Sequence, residues 1–316
     1  MTGNVTLSLE IEFGWGFHDL TKSSKYDKLS TGRKEETKYL KRLLKACDVY
    51  RVPISFNIVG HLLLPECSGD HDSPLGAEWF AADPGTDMDT DPLFYAPDIV
   101  KLIQDAEVEH EICTHTYSHV LFDEISDAVI DWELKRVKEV HAAAGLNRPE
   151  TLVPPRHQLP PEQKIRENDI HTVRVPFLDV EKPTNNFQSF VWILTRDHPV
   201  GSPDTSNGVV KTRCPPYPSL TATYLQNGQT KPHPVFRLMP VRARQAIHHR
   251  YLRDGLQRAI ERETYIHYWS HLHNLSNEQQ WQPLCSFLSE LGNARSDEDI
   301  TLKTMRELGR EIVDDR

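Results

Sequence analysis

The first clear pattern along the chain is an alternation of apolar and polar residues near the N-terminus. The apolar positions are Val5, Leu7, Leu9, Ile11 and Phe13, and the polar ones are Thr6, Ser8, Glu10 and Glu12. A period of two residues is typical of a β-strand with two different faces. The pattern therefore predicts a strand with one apolar face and a second face that ends in two carboxylates.

Helical and strand patterns alternate through most of the remaining sequence. Apolar residues at helical spacing predict helices at 34–50, 96–107, 126–144, 242–263, 278–291 and 297–313. Short runs of apolar and β-branched residues predict strands at 54–59, 109–113, 152–153, 170–175 and 264–269. Alternating strands and helices favour an α/β protein with a parallel sheet or barrel.

Two long segments interrupt this alternation. Residues 61–95 are rich in Asp, Pro and Gly, and their length predicts a functional or partly ordered loop that could overhang a site. Residues 182–240 are rich in Pro, Asn, Gly and Thr, with one predicted strand at 187–194, and are interpreted as an insertion. We expect a single domain over residues 1–316, with a core at 5–290 and a helical tail at 293–316.

Charge and composition exclude several classes of protein. The net charge of −10 disfavours a nucleic-acid partner. No apolar run is long enough for a membrane span, and the N-terminus lacks the pattern of a secretion signal, so a cytoplasmic protein is expected. The five cysteines include no C-x-x-C pair, which argues against a disulfide framework and against a thiolate zinc site. We expect reduced cysteines, at least two of them buried.

His115 and His119 are candidate metal ligands. Imidazole is a common ligand for zinc, and two histidines four residues apart can face one ion if the chain turns between them. With sixteen histidines in the chain, a chance pair on the surface or in the core is the alternative. The predicted strand that leads into His115 favours the metal site, because parallel-sheet enzymes place ligands at the carboxyl ends of strands.

Three further sets of residues are candidates for a catalytic or metal-binding role. Glu10 and Glu12 suit a metal ligand and a general base, or else they lie on the exposed face of an edge strand. Arg156 follows two prolines and could hold a carboxylate, or form a surface ion pair. His271 and His273 follow the last strand and could protonate a leaving nitrogen, or simply cap a barrel strand.

The segment from Ala96 to His119, and above all His115-Thr116-Tyr117-Ser118-His119, resembles the polysaccharide deacetylase family, also called the NodB-homology domain or carbohydrate esterase family 4. In that family two histidines of a His-[Ser/Thr]-x-x-His motif bind the metal. The resemblance covers residues 5–290. It implies a distorted (β/α)₇ barrel of the NodB type, a glycoside hydrolase/deacetylase-type barrel with its site at the carboxyl ends of the strands.

The resemblance also implies roles for the other groups. Leu9-Glu10-Ile11-Glu12 followed by Phe13-Gly14-Trp15-Gly16 is similar to the first family motif, with Glu10 as base and Glu12 as ligand, although the two could exchange roles. Pro154-Pro155-Arg156 is similar to the motif whose arginine orients the base. Trp269-Ser270-His271-Leu272-His273 is similar to the motif of the general acid, with His271 favoured over His273. The motif of the acetyl pocket has no clear counterpart, and 177–179 is the nearest segment.

These residues lead to an expected function. The chain is expected to be a hydrolase of non-peptide carbon–nitrogen bonds that removes an N-acetyl group from a sugar or glycan precursor. The reaction is expected to use a divalent metal, and Zn²⁺ is the expected ion. The alternatives are hydrolysis of a ureido or cyclic imide bond, and a carbohydrate-binding homologue with impaired turnover. The expected partner is a carbohydrate or other small-molecule substrate.

Overall fold

A computed structural model describes residues 2–20, 26–178, 185–228 and 234–314. In this part of the chain, strands form one nine-stranded sheet. The strands are β1 (Gly3–Ile11), β2 (Ser55–Ile58), β3 (Glu111–Thr114), β4 (Thr151–Leu152), β5 (Thr172–Pro176), β6 (Asp204–Ser206), β7 (Val209–Cys214), β8 (Tyr265–His271) and β9 (Ile300–Leu302).

The sheet is mainly parallel, as the sequence predicts. Its strands follow in the order β6, β7, β5, β4, β3, β2, β1 and β8, with β9 also pairing with β1. All of these pairings are parallel except that of β6 with β7. The sheet curls, so that Trp269 Nε1 of β8 donates to the carbonyl of Pro215, just after β7, at 2.8 Å. The predicted distorted (β/α)₇ barrel is confirmed.

Helices connect and cover the strands. They are α1 (Lys34–Tyr50), α2 (Pro97–Gln104), α3 (Asp127–Ala143), α4 (Glu162–Glu167), α5 (Asn186–Thr195), α6 (Val235–Leu238), α7 (Val241–Glu261), α8 (Leu272–Leu275), α9 (Glu278–Ser296) and α10 (Met305–Asp314). The range of α1 is the predicted one, and α3 and α7 differ from prediction by one or two residues at each end. Helical periodicity was sufficient there because each helix buries one apolar stripe.

Strand β1 lies inside the sheet, between β2 and β8. Its odd-numbered residues, Val5, Leu7, Leu9 and Ile11, belong to the main hydrophobic core. Its even-numbered residues face a polar interior, where Ser8 Oγ lies 2.8 Å from His267 Nε2 and accepts a hydrogen bond from Arg174 Nη1 at 3.1 Å. Both faces of the strand are therefore buried, and the exposed-edge alternative for Glu10 does not hold.

The predicted strand at 187–194 is wrong, because this segment is helix α5. Asn185 begins the helix by accepting a hydrogen bond from the backbone of Gln188 at 2.9 Å. Phe190, Ile193 and Leu194 pack on a small separate core around Phe236. The aromatic and β-branched residues of this segment have a high propensity for strands. In the structure, however, only one face of the segment packs on that core, which favours a helix.

The segment 182–240 also contributes β7 to the main sheet, paired with β5. Residues 300–302, within a predicted helix, form β9 instead. The extent of the insertion and the single-domain division stay predictions. All five cysteines are free, and Cys47, Cys113 and Cys214 are buried. In the described ranges, no helix is long and apolar enough to cross a membrane.

Candidate active site

The two carboxylates of the first motif reach one place because the chain bends sharply after β1. Glu10 is the penultimate residue of β1, and Glu12 follows the strand. Phe13, with φ of 44°, then takes the left-handed conformation and opens a short 3₁₀ turn, Phe13–Gly16. A Cβ atom at position 16 would collide with the Glu12 carboxylate. Gly16 therefore allows Glu12 to fold over this turn.

His115 and His119 meet Glu12 at the end of β3. Nε2 of His115 lies 3.0 Å and Nε2 of His119 lies 3.3 Å from the same oxygen, Oε1 of Glu12. The turn between the histidines is tight, with Thr116 at φ 64° and His119 at φ 61°. All three side chains are buried. Their donor atoms lie within 4.8 Å of one another, so the three residues could hold a metal ion.

The hydrogen bonds around these histidines suit a metal ligand. Nδ1 of His115 lies 2.6 Å from the carbonyl oxygen of Val153, and since a carbonyl only accepts, Nδ1 carries the proton. In the neutral ring Nε2 then presents a lone pair towards the Glu12 carboxylate. A cation between the two groups satisfies both, and a carbonyl at Nδ1 is the usual support of a metal-bound histidine.

Glu10 occupies the other half of the site. Arg174 Nη2 donates to Glu10 Oε1 in a buried ion pair, and Nε2 of His271 lies 2.8 Å from Glu10 Oε2. Burial would raise the pKa of Glu10, but the charge of Arg174, followed by that of His271, holds it well below its usual range. The Glu10 carboxylate is therefore ionised across the neutral pH range.

The pKa values of His271 and His273 are shifted in opposite directions. Burial alone would lower the pKa of His271, but the carboxylates of Glu10 and Glu12 raise it above its ordinary value. Nδ1 of His271 also lies 3.1 Å from Oδ1 of Asn274. Burial lowers the pKa of His273 to about 3, so His273 is neutral. It packs against Phe17, with ring centroids 5.2 Å apart.

Arg156 does not take the position that its motif predicts. Its Nη2 donates to Asp19 Oδ2 at 2.6 Å at the rim of the site, and its side chain is 43% exposed. Glu10 is held by Arg174 instead. The chain turns at this point, with Arg156 at φ 49° and His157 at φ 61°. The expected pairing of Arg156 with Glu10 is therefore wrong.

A cavity of about 330 Å³ opens over these residues. Glu10, Glu12, His119 and His271 line its floor, and Arg156, Lys28, Leu20 and two prolines, Pro216 and Pro218, are also among its lining residues. Arg174 lies against the ring of Trp269, with its guanidinium carbon 4.3 Å from the ring centroid. Of the segment proposed for the acetyl pocket, Asp179 lies outside the described residues.

Two positioning residues were missed by the sequence analysis. Arg174 alternates with Val173 and Val175 in β5, and a lone charge inside a strand was the available signal. Glu133 lies on the buried stripe of α3 and accepts from the backbone of Tyr117 at 2.8 Å and of Ser118 at 2.9 Å. Burial raises the pKa of Glu133 to about 7. It holds the turn between the two histidines.

Comparison with known proteins supports the resemblance. Residues 25–173 match the model of a family described as polysaccharide deacetylase. This range includes His115, His119 and Arg156 but not Glu10, Glu12 or His271. The match supports the resemblance seen in the motifs of this chain. No curated protein matches the sequence significantly.

Solved structures share the fold at low sequence identity. A Mycobacterium smegmatis protein described as a polysaccharide deacetylase is 14% identical, with a TM-score of 0.63 over 98% of this chain and 90% of that one. A Pseudomonas aeruginosa PAO1 protein with a similar description is 13% identical, with a TM-score of 0.56 over 97% and 89%. The PuuE allantoinase is also 13% identical, with a TM-score of 0.58 over 97% and 89%.

Proposed function

We propose that this relative of the polysaccharide deacetylases is a metal-dependent hydrolase that removes an N-acetyl group from a sugar or glycan precursor. One observation carries the proposal. A single carboxylate oxygen of Glu12 faces the Nε2 atoms of two buried histidines, directly beside an ion pair between Glu10 and His271. A metal-ligand set and an acid–base pair thus line the same cavity.

Glu12, His115 and His119 are assigned as ligands of a divalent metal, for which Zn²⁺ is the proposed ion. Two imidazoles and one carboxylate form a ligand set of catalytic zinc sites, with a position left for water or substrate. When bound there, such an ion polarises a carbonyl group and lowers the pKa of a bound water. Glu10 Oε2 is 4.0 Å from Nε2 of His115, farther than Glu12, which favours Glu12 as the third ligand.

Glu10 is assigned as the general base. Its Oε1 is held by Arg174, and its Oε2 is directed into the space beside His115 and His271. The ionised Oε2 takes a proton from the attacking water, whose oxygen adds to the carbonyl carbon of the amide. A base fixed in this way speaks against the binding-only alternative, which expects a Glu10 carboxylate turned away from the site.

His271 is assigned as the general acid. The carboxylates of Glu10 and Glu12 raise its pKa and so favour its protonated form. Its Nε2 donates that proton to the departing nitrogen as the carbon–nitrogen bond breaks. The products are acetate and the free amine. His273 is neutral and buried, so it is assigned to holding the His271 ring, with centroids 5.0 Å apart. Arg156, at the rim, is assigned to contact with substrate.

A second candidate is hydrolysis of a ureido or cyclic imide bond. The cavity of about 330 Å³ is at the small end of ligand sites and suits a compact substrate. The similarity in fold to an allantoinase is compatible with this chemistry. The same base and acid would act on either kind of carbon–nitrogen bond.

The proposal is tested by measuring products. The purified protein, loaded with zinc, is incubated with a panel of N-acetylated sugars and a panel of ureido and cyclic imide compounds. Acetate release supports the deacetylase, and ring-opened or ammonia products support the second candidate. Glu10→Gln is expected to lower kcat by about 10²–10⁴-fold while keeping the metal. His115→Ala is expected to lose both activity and the metal at this site.

The control is His171→Ala, since His171 is exposed and lies outside the site. This variant is expected to keep full activity and metal content. Turnover of one panel that survives in both Glu10→Gln and His115→Ala would exclude the assigned roles. Turnover of neither panel by the metal-loaded protein would favour the binding-only alternative.

A further inference from the structure

A second group of metal-type side chains lies in the long segment between β2 and α2. This group, the loop cluster, consists of His61, Cys67, His71 and Asp83. Its segment has little regular structure, and the two halves are joined by short contacts such as Cys67 N to Thr86 O at 2.9 Å. The side chains of His61 and Asp83 are fully buried, and that of His71 is 4% exposed.

The four donor atoms lie at distances that suit one small ion. Oδ2 of Asp83 lies 3.2 Å from Nε2 of His61 and 2.7 Å from Nε2 of His71. Sγ of Cys67 lies 3.7 Å from Nε2 of His71. In a tetrahedral zinc site with bonds of about 2.0–2.3 Å, neighbouring donor atoms are about 3.3–3.8 Å apart. The cluster therefore needs only small shifts to close around an ion.

The hydrogen bonds of His61 also favour a metal site. Its Nδ1 lies 3.3 Å from the carbonyl oxygen of Phe94, which can only accept, so Nδ1 carries the proton. The neutral ring then directs the lone pair of Nε2 at the buried Asp83 carboxylate. Two acceptors facing each other are stabilised by a positive charge between them, which a metal ion would supply. Cys67 Sγ also accepts from the backbone of Gly69 at 3.4 Å, a bond that stabilises a thiolate.

We propose that the loop cluster is a second metal site, in which His61, Cys67, His71 and Asp83 bind one Zn²⁺ ion. Nitrogen and thiolate donors favour zinc over magnesium or calcium. Four protein ligands fill a tetrahedral shell, which is typical of a structural ion. On binding, the Cys67 thiol releases its proton to solvent and becomes a thiolate ligand. The proposal does not depend on the function assigned to the other site.

Such an ion would stabilise the contact between residues 61–95 and the turn that contains His115 and His119. His61 N donates to the carbonyl of Tyr117 at 2.9 Å, and the His61 ring lies 4.4 Å from that of Trp15. His71 packs on Phe80, with ring centroids 4.0 Å apart. One ion that joins residues 61, 67, 71 and 83 would add a cross-link to the hydrogen bonds of this segment.

The alternative is a cluster held by protons alone, with charged imidazoles paired to Asp83. A zinc site and a cluster held by protons are distinguished by replacing the metal of the full-length protein with Co²⁺ and recording the absorption spectrum of the protein. A thiolate ligand gives a sulfur-to-cobalt charge-transfer band in the near ultraviolet, whereas the site of Glu12, His115 and His119 has no sulfur. The band is expected in the native protein and in His115→Ala.

Cys67→Ser is expected to remove the band and to lower the bound metal by one equivalent per chain. The matched control is Cys285→Ser, since Cys285 is the other half-buried free cysteine and lies in α9. It is expected to leave both measurements unchanged. A band that persists in Cys67→Ser, or that disappears in Cys285→Ser, overturns the proposal.

A measurement on the native chain covers the case in which Cys67→Ser does not fold. The protein is alkylated with iodoacetamide with zinc bound and after chelation, and the modified cysteines are identified by mass spectrometry. Zinc is expected to protect Cys67 at least tenfold in rate, with Cys285 reacting equally in both samples. Equal modification of Cys67 in the two samples, together with no charge-transfer band, overturns the proposal.

Discussion

Two clusters of metal-type residues in this protein are built in different ways. The strand-end cluster consists of Glu10, Glu12, His115, His119 and His271. These residues lie in strands β1 and β8 or within five residues after β1 and β3. The loop cluster comes from a single irregular segment. The strand-end cluster forms the floor of a cavity and includes a carboxylate, Glu10, that is held by Arg174 rather than by the histidine pair. In the loop cluster, by contrast, Asp83 and His61 are sealed from solvent.

This difference indicates a catalytic role for the strand-end cluster and a structural role for the loop cluster. A catalytic zinc site keeps a position open and has an acid–base group beside it, whereas a structural site is closed by four protein ligands. The hydrogen-bonded register of the sheet fixes where the strand ends lie, and so it fixes the positions of Glu10 and His271, the proposed base and acid. A loop has no such register, and we expect its cluster to act on stability rather than on turnover.

Among substitutions of His271, Arg174 and Arg156, the largest effect on turnover is expected for His271→Gln. Loss of the proton donor is expected to lower kcat by about 10²–10⁴-fold. In the native protein, kcat should fall as the pH rises through the pKa of His271, which lies above its ordinary value of 6.5. The variant should lack this alkaline decline, as measured from pH profiles of kcat. Cys67→Ser, as the comparison from the loop cluster, should keep the native profile.

If kcat of His271→Gln still declines at alkaline pH as in the native protein, another group is the proton donor. His273 would then be the next residue to substitute, although its pKa of about 3 leaves it neutral.

A smaller effect on turnover, but a large one on stability, is expected for Arg174→Met. Removal of one partner of a buried ion pair leaves Glu10 uncompensated and is expected to cost about 3–5 kcal/mol of unfolding free energy. Turnover should fall by about 10–100-fold, as for other groups that position a metal-site residue. The acid limb of the pH profile should move to higher pH, because Arg174 is the main cause of the lowered pKa of Glu10.

Arg213→Met is the matched control for Arg174. Arg213 lies in the neighbouring strand β7 and pairs with Asp204 at 2.6 Å on the surface. An exposed pair of this kind contributes up to ~1 kcal/mol, so stability and pH profile should change little. Denaturant unfolding of both variants checks the difference, and equal losses would show that Arg174 has no special role.

The smallest effect is expected for Arg156→Ala. Since Arg156 pairs with Asp19 at the rim rather than with Glu10, the substitution should raise KM by about two- to fivefold, the size of one exposed ionic contact. kcat should stay near the native value. Arg148→Ala, which breaks another exposed pair, with Asp169, is the control and should change neither constant. A fall in kcat as large as that of Arg174→Met would return the orienting role to Arg156.

Much of the strand-end cluster was predictable from local pattern. The alternation in β1 brought Glu10 and Glu12 to one strand end, and the His115–His119 spacing with the strand before it indicated a metal site. One expectation drawn from the cysteines differs from the proposal for the loop cluster. The lack of a C-x-x-C pair argued against a thiolate zinc site, but the proposed loop cluster uses one thiolate, and its ligands are separated by four to twelve residues of irregular chain.

The sequence by itself determined most of the alternation of strands and helices outside residues 182–240, because most elements there have their own hydrophobic period. It also determined which chemical groups end the strands. Only the tertiary structure decided which groups meet. Arg174 reaches Glu10 from β5 across the barrel, 164 residues away, while Arg156 turns to Asp19. Such pairings depend on the curl of the sheet and on left-handed turns, which sequence periodicity does not record.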